Sequence, residues 1–347
     1  MAVPSLTLRT LPIGSTPHTD PAEAVQKVIE YFPDLPAWPQ LPRRSFLENM
    51  LVQFSEGFPG VVVDAGEKKV YVDTSRDLTA ELEHLYNAYL EQNLEFAAVS
   101  DAYAAGFRRF LQDVAALSRP PLALKGQIVG PVCWGMTVMD PRGRPILYDD
   151  VLADALVKHM AMKAAWQERE LRRVSPNVIL FVDDPYVAAV GSAYLPLGRE
   201  QAQALLTEVL SAIGGLKGVH CCANADWPLL METPIDILSL DAYGYAESLA
   251  LYPEEVHAFL ERGGMIAWGI VPTSKDVMKE TTESLVDRLH GAMNLLVRKG
   301  IPFEKILAAS LITPSCGTGT LSPDLAERIF ALTAAVSAEM RRRYGTE

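Results

Sequence analysis

From residue 122 onward, short apolar runs alternate with longer amphipathic stretches. Runs at 122–129, 177–182, 235–240, 265–270 and 306–312 stop at Gly130-Pro131, Asp183-Asp184-Pro185, Asp241, Val271-Pro272 and Thr313-Pro314, and a run at 217–219 leads into His220. Apolar runs of this length, bounded by Gly, Pro and Asp, predict buried strands. Between them, 148–173, 198–213, 252–261, 281–299 and 323–343 space their apolar residues as helices do, and Ser322-Pro323 supplies an N-cap and a first-turn proline. Strands alternating with helices predict a parallel sheet with crossover connections.

The first 110 residues carry a weaker pattern. Residues 11–19 read as a first strand end, followed by a helix from Pro21, and 32–42 is proline-rich and irregular. Segments 61–64 and 70–73, joined by 65–69, read as a hairpin, while 79–93 and 101–117 read as helices.

An open doubly wound sheet and a closed barrel both satisfy this alternation. No Gly-x-Gly-x-x-Gly turn follows a strand, which disfavours dinucleotide binding. The polar residues with chemistry lie at strand ends: Asp183, His220, Cys222, Asp241 and Cys316. In a barrel those ends converge on one mouth, whereas an open sheet spreads them along an edge. The expected fold is therefore α/β, a (β/α)8 TIM barrel spanning 1–347 as a single domain, with an N-terminal insertion near the mouth.

Composition narrows the function. The chain is 49% hydrophobic, enough for a substantial core, and its net charge of −12 offers no basic stripe for nucleic acid. Arg341-Arg342-Arg343 reads as a solvated helix end. No signal pattern opens the chain and no apolar stretch reaches membrane-span length. With only four cysteines, two of them adjacent, a disulfide scaffold is not expected. These features predict a cytoplasmic protein with reduced thiols and no membrane or nucleic-acid partner.

The cysteines carry the chemistry. His220-Cys221-Cys222 offers an imidazole and thiolates from one segment, and Cys316 follows 94 residues after Cys222. In an extended segment side chains alternate, so His220 and Cys222 share a side and Cys221 faces the core. Cys133, beside Trp134, also reads as packing. Few protein ligands, soft donors and one open position characterise a catalytic zinc site. A free thiol, with a pKa near ~8.5, is only a few per cent ionised at neutral pH, and a metal that binds it removes the proton. Such a site delivers a thiolate nucleophile. Asp241 is either an oxygen ligand or a helix N-cap. In the Asp183-Asp184 pair, one carboxylate is a candidate for a substrate ammonium group and the alternative is a turn or cap. The backbone of Gly14-Ser15 is a candidate for a substrate carboxylate, and His18 and Glu56 are candidate substrate contacts.

Ile13-Gly14-Ser15-Thr16-Pro17-His18-Thr19, Lys125-Gly126-Gln127-Ile128-Val129-Gly130-Pro131, Val182-Asp183-Asp184-Pro185, His220-Cys221-Cys222, residues 238–241 and Ser315-Cys316-Gly317 occur in this order. Together they resemble the catalytic barrel of cobalamin-independent methionine synthase. More broadly they resemble the superfamily joining it to uroporphyrinogen decarboxylase and the corrinoid-dependent thiol methyltransferases. His-x-Cys with a distant Cys-Gly is the part that separates the zinc methyltransferases from the decarboxylases. The resemblance implies His220, Cys222 and Cys316 as zinc ligands, with Asp241 where methionine synthases carry a glutamate ligand. It implies Asp183 at the homocysteine amino group, and Ile13, Gly14 and Ser15 at its carboxylate. Glu56 is the glutamate proposed for the same amine. One barrel alone resembles the short, stand-alone form, for which methylcobalamin, free or on a corrinoid protein, is the expected methyl donor beside folate. No Asp-x-His-x-x-Gly cobalamin motif is present, so the corrinoid would come from outside the chain. The alternatives are transfer to coenzyme M or another thiol, a metal-free uroporphyrinogen decarboxylase-like reaction, for which Arg43-Arg44 is the only arginine pair in the proline-rich N-terminal region, and a non-catalytic barrel that binds or delivers corrinoids or thiols.

Overall fold

The structure, a computed structural model, describes residues 6–192 and 195–345. A two-stranded antiparallel hairpin comes first, β1 (Val61–Asp64) with β2 (Lys69–Val72). Then β3 (Leu124–Val129), β4 (Val178–Asp183), β5 (Leu216–Cys221), β6 (Ile237–Leu240), β7 (Met265–Val271) and β8 (Ser310–Pro314) form one parallel sheet in sequence order. Helices cover its outer face, the longest being Asp150–Arg172 and Pro323–Tyr344.

Two extended N-terminal segments join the edges of this sheet. Leu8 and Leu11 donate to Ser310 and Ile312 of β8 (2.6 and 3.0 Å). On the other edge, Lys125 of β3 donates to the Pro36 carbonyl (2.9 Å) and Trp38 to that of Lys125 (3.4 Å). The segments meet where Thr16 donates to Gln40 (2.9 Å) and Gln40 to Gly14 (3.1 Å). The ring is thereby closed as a (β/α)8 barrel. These two positions hold bridges in place of regular strands because Pro12, Pro36 and Pro39 lack the N–H that a ladder needs. Asp34 clasps the seam, meeting Arg9 (2.8 Å), Arg119 (3.1 Å) and Arg341 of the last helix (3.5 Å).

The lumen is filled rather than open. Leu6, Leu11, Leu35, Ala123, Ile179, Phe181, Ile237, Ala267 and Leu311 form an apolar cluster separate from the main core. A Cβ at residue 218 would stand 2.1 Å from the Phe181 ring, so Gly218 makes room for that ring. The helix Asp150–Arg172 is buried along a polar stripe as well as an apolar one. From it Gln167 accepts from the Trp38 indole (2.8 Å) and from Gln127 N–H (2.9 Å), tying helix to barrel.

Three expectations about elements change. The apolar run at 306–308 belongs to the helix Phe303–Ala308, which starts behind Pro302, so β8 begins only at Ser310. A short apolar run does not distinguish strand from buried helix. Strand β5 extends past 219 through His220 and Cys221. The irregular stretch 32–42 supplies the barrel's second position. The later helices fall within about two residues of expectation at Asp150–Arg172, Arg199–Ser211, Pro253–Glu261, Thr282–Val297 and Pro323–Tyr344. The N-terminal pair is shorter than read, at Thr79–Leu90 and Ala105–Ala115. Among the described residues no helix is long and apolar enough to cross a membrane.

Candidate metal centre and acceptor cleft

Parallel pairing puts Val129 beside Asp183 and Asp183 beside His220, so the top residues of β3, β4 and β5 lie in one row. Two residues beyond β8, Cys316 returns to the same row. The ligand atoms of His220, Cys222 and Cys316 all lie within 4.8 Å of one another. Alternation along the extended segment sends Cys221 the other way. It is buried, its Sγ contacts the Ala223 carbonyl at 3.7 Å, and burial pushes its thiol up to about 12. Cys133 is likewise buried, with its thiol pushed up by burial.

His220 is oriented from behind. Its Nδ1 lies 3.0 Å from Ser239 Oγ on the neighbouring strand, while its Nε2 is buried with no hydrogen-bond partner. With Nδ1 engaged by Ser239, the ring is held in orientation and Nε2 is left without a protein partner. The adjacent Cys316 and His220 side chains hold the Cys222 thiol far below the usual thiol range. The contact with Cys222, with burial, pushes Cys316 far above it. An S,S,N donor set with an unpartnered imidazole nitrogen fits a zinc ion, whose tetrahedral ligands stand about 3.7 Å apart.

A cleft of about 290 Å3 opens over these groups, with Ile13, Ser15, Gln40, Glu48, Met50 and Asp183 among its walls. Asp183 is 8% exposed and its Oδ1 has no partner. Burial raises its pKa, and the nearby charges of Lys125 and His220 work against that rise. Its neighbour Asp184 does structural work: it accepts from the Val132 and Cys133 N–H groups at a helix start (2.9 Å each). The Ile13-Gly14-Ser15 turn is pinned on both sides. Thr318 donates to the Ser15 carbonyl (2.9 Å) and Lys125 Nζ to that of Ile13. Gly14 has φ +146°, and a Cβ there would meet the Gln127 side chain at 2.7 Å, so both conformation and space call for glycine.

Three candidates sit elsewhere than expected. Glu56 is not in the cleft wall; its carboxylate accepts from Ser100 N–H (2.8 Å). The glutamate in the wall is Glu48, which accepts from Leu41 N–H (3.2 Å) and Arg44 (2.9 Å), and burial pushes its pKa up to about 7. His18 is buried outside the cleft wall, with Glu327 at 3.9 Å. Asp241 caps the helix Ala242–Leu249, accepting from Gly244 N–H (2.9 Å), and is not one of the three clustered ligands. Sequence reasoning missed Glu48 and Gln40. The only signal for Glu48 was an Arg44-Glu48 pair at i,i+4 in the segment after the prolines.

No protein-family model matches the chain, and no curated protein matches it by sequence. Solved structures do match in shape. A B12-independent methionine synthase from Shewanella sp. W3-18-1, in complex with selenomethionine, superposes with a TM-score of 0.63 over 98% of this chain and 100% of that one, at 16% identity. The chain has the methionine-synthase fold. A methyltransferase from Methanosarcina mazei shares the fold, with a TM-score of 0.59, 13% identity and coverage of 96% and 94%. A (β/α)8 barrel places strand C-termini around one mouth, and in this chain that mouth holds the thiols, the imidazole and the unpaired carboxylate.

Proposed function

We propose that the protein is a cytoplasmic, zinc-dependent S-methyltransferase, a single catalytic barrel that methylates the thiol of homocysteine to give methionine. The observation that carries this reading is the convergence of His220 Nε2, Cys222 Sγ and Cys316 Sγ beneath a cleft with an unpartnered Asp183 oxygen. Zinc bound there supplies a Lewis acid that keeps an acceptor thiol in its thiolate form at neutral pH. The chain's residues do the rest. Ser239 aims His220, and Asp183 receives the acceptor's ammonium group. The Ile13-Gly14-Ser15 turn receives its carboxylate, and Glu48 takes the place given to Glu56 as the second carboxylate near the amine. These contacts bind the acceptor in the cleft and bring its thiol beside the metal ligands. Asp241 serves as helix cap: one of its oxygens is already committed, and aspartate is a methylene shorter than the glutamate ligand of methionine synthases.

The methyl donor is methylcobalamin, free or carried by a corrinoid protein, with folate as the other candidate. The fold shared with a methionine synthase and with a methyltransferase supports methyl transfer, and the unpaired Asp183 favours an ammonium-bearing acceptor over coenzyme M. The test is zinc content of the wild type and Cys316→Ala, followed by methylcobalamin and homocysteine added to each. About one zinc per chain, lost together with methionine formation in the variant, is the expected result. Zinc without methionine would redirect the search to other thiols and donors, and no zinc in either protein would overturn the reading.

A further inference from the structure

Lys125 is one of the largest fully buried side chains in the protein, and the proposed reaction gives it no part. It projects from β3 inside the barrel, with its ammonium 4.6 Å from the centroid of the Phe181 ring. Nζ donates to the Ile13 carbonyl and to Gln127 Oε1 (3.1 Å). Gln127 in turn donates to the Trp38 carbonyl (3.0 Å) and lies under Gly14. Burial lowers the lysine's pKa to about 8 and the charge of Asp183 opposes that, so the group is still mostly protonated at neutral pH. A buried cation is costly unless something uses it. Ordinary packing would have been served by methionine at this position.

The peptide between Ile13 and Gly14 explains the use. All described peptide bonds are trans, so the Gly14 N–H points away from the Ile13 carbonyl, and hence away from Lys125. Ile13 and Ser15, on either side of Gly14, line the cleft. Among the described residues, neither the Gly14 nor the Ser15 N–H donates to another group. We propose that Lys125 is the positioning residue of the acceptor's carboxylate site: it fixes the Ile13–Gly14 peptide and polarises it, so that the Gly14 N–H is a stronger donor to an anionic oxygen. A charge-assisted bond at one end of an amide strengthens the bond at the other, as in any hydrogen-bonded chain. The site is thereby selective for thiols that carry a carboxylate. This inference rests on the acceptor cleft proposed above.

The test compares L-homocysteine with 3-mercaptopropylamine, which lacks only the carboxylate, by calorimetry on zinc-loaded protein. Wild type, Lys125→Met and Lys125→Gln are each assayed for zinc. The Gln variant keeps one donor without the charge and secures the comparison if the Met variant folds poorly. Wild type is expected to prefer homocysteine by about tenfold or more, and Lys125→Met to lose most of that preference while keeping its zinc. Lys125→Gln is expected in between. In acceptor-free protein the Gly14 amide proton resonance should move upfield in both variants. If wild type prefers homocysteine and Lys125→Met keeps the preference, the role of Lys125 is overturned and the acceptor reading stands. If wild type shows no preference, the acceptor reading falls, and the carboxylate site falls with it.

Discussion

Asp183→Asn tests the cleft most directly. The carboxylate is buried and its Oδ1 faces no partner. Such a group costs stability in the free protein and repays it only when a cation arrives. Replacing it by asparagine keeps the shape and removes the charge. A hydrogen bond between charged groups contributes about 1.5–3 kcal/mol, which corresponds to roughly a 10- to 150-fold change in affinity. KM for homocysteine should rise by about that factor while kcat changes little, because the contact is made equally in the ground and transition states. An acceptor without the amine, 4-mercaptobutyrate, should not distinguish variant from wild type. Zinc content should be unchanged, since Asp183 is not among the clustered ligands. Stability should move little. The variant removes a buried carboxylate but leaves Lys125 without the charge that supports its protonation. These effects oppose each other, and a net change of under 1 kcal/mol keeps Tm within about 2–4 °C of wild type. An unchanged KM with zinc retained would refute the reasoning, as would an equal loss for the amine-less acceptor.

Ser239→Ala removes the group that orients the His220 ring, and zinc affinity, measured by competition with a chromophoric chelator, should fall about 10-fold with the fold intact. Asp241→Asn preserves the helix cap, since asparagine caps as well as aspartate, and should keep the metal; loss of zinc would make Asp241 a ligand after all. Glu48 has its folded pKa raised to about 7 from 4.5. The unfolded chain therefore loses this proton first as pH rises, and the contribution to stability is present below pH 4.5 and lost by about pH 7. Metal-free Glu48→Gln should show a shallower fall in Tm over that range than wild type, and parallel curves would contradict the burial of this carboxyl.

The strands that carry the chemistry were legible because each is a short apolar run stopped by Gly, Pro or Asp, and because parallel strands place those stops at one end. That logic located Asp183, His220, Cys222 and Cys316 before any coordinates. It failed where the chain does not obey the pattern. The barrel's first two positions carry Pro12, Pro36 and Pro39 and pair through bridges, so no alternation marks them as strands. Gln40 and Glu48 belong to that same region, and their arrival in the cleft depends on the seam closing. Glu56 and Glu48 are the same residue type and only eight residues apart. What separates them is that Glu48 folds back onto Leu41 and Arg44 whereas Glu56 turns to Ser100. In the local sequence only the i,i+4 spacing of Arg44 and Glu48 hints at that difference.

The mouth of this barrel also departs from the rule that buried polar atoms find partners. His220 Nε2 and Asp183 Oδ1 are both orphaned, while the groups around them are fully committed: Ser239 to His220, Asp184 to two backbone N–H groups, Asp241 to its helix. A fold that satisfies the supporting atoms and leaves the facing ones open has the free energy of its ligands built into its own deficits. Under the proposed function the imidazole nitrogen would be met by a metal that also takes both thiolates, and the carboxylate by an ammonium. On the proposed reading the buried Lys125 belongs to the same arrangement, because it bonds the Ile13 carbonyl and its charge acts on Asp183. On that reading zinc, amine and carboxylate would each answer a different unpaired group, and an acceptor thiol that lacks its amine or its carboxylate would leave one of them unmet.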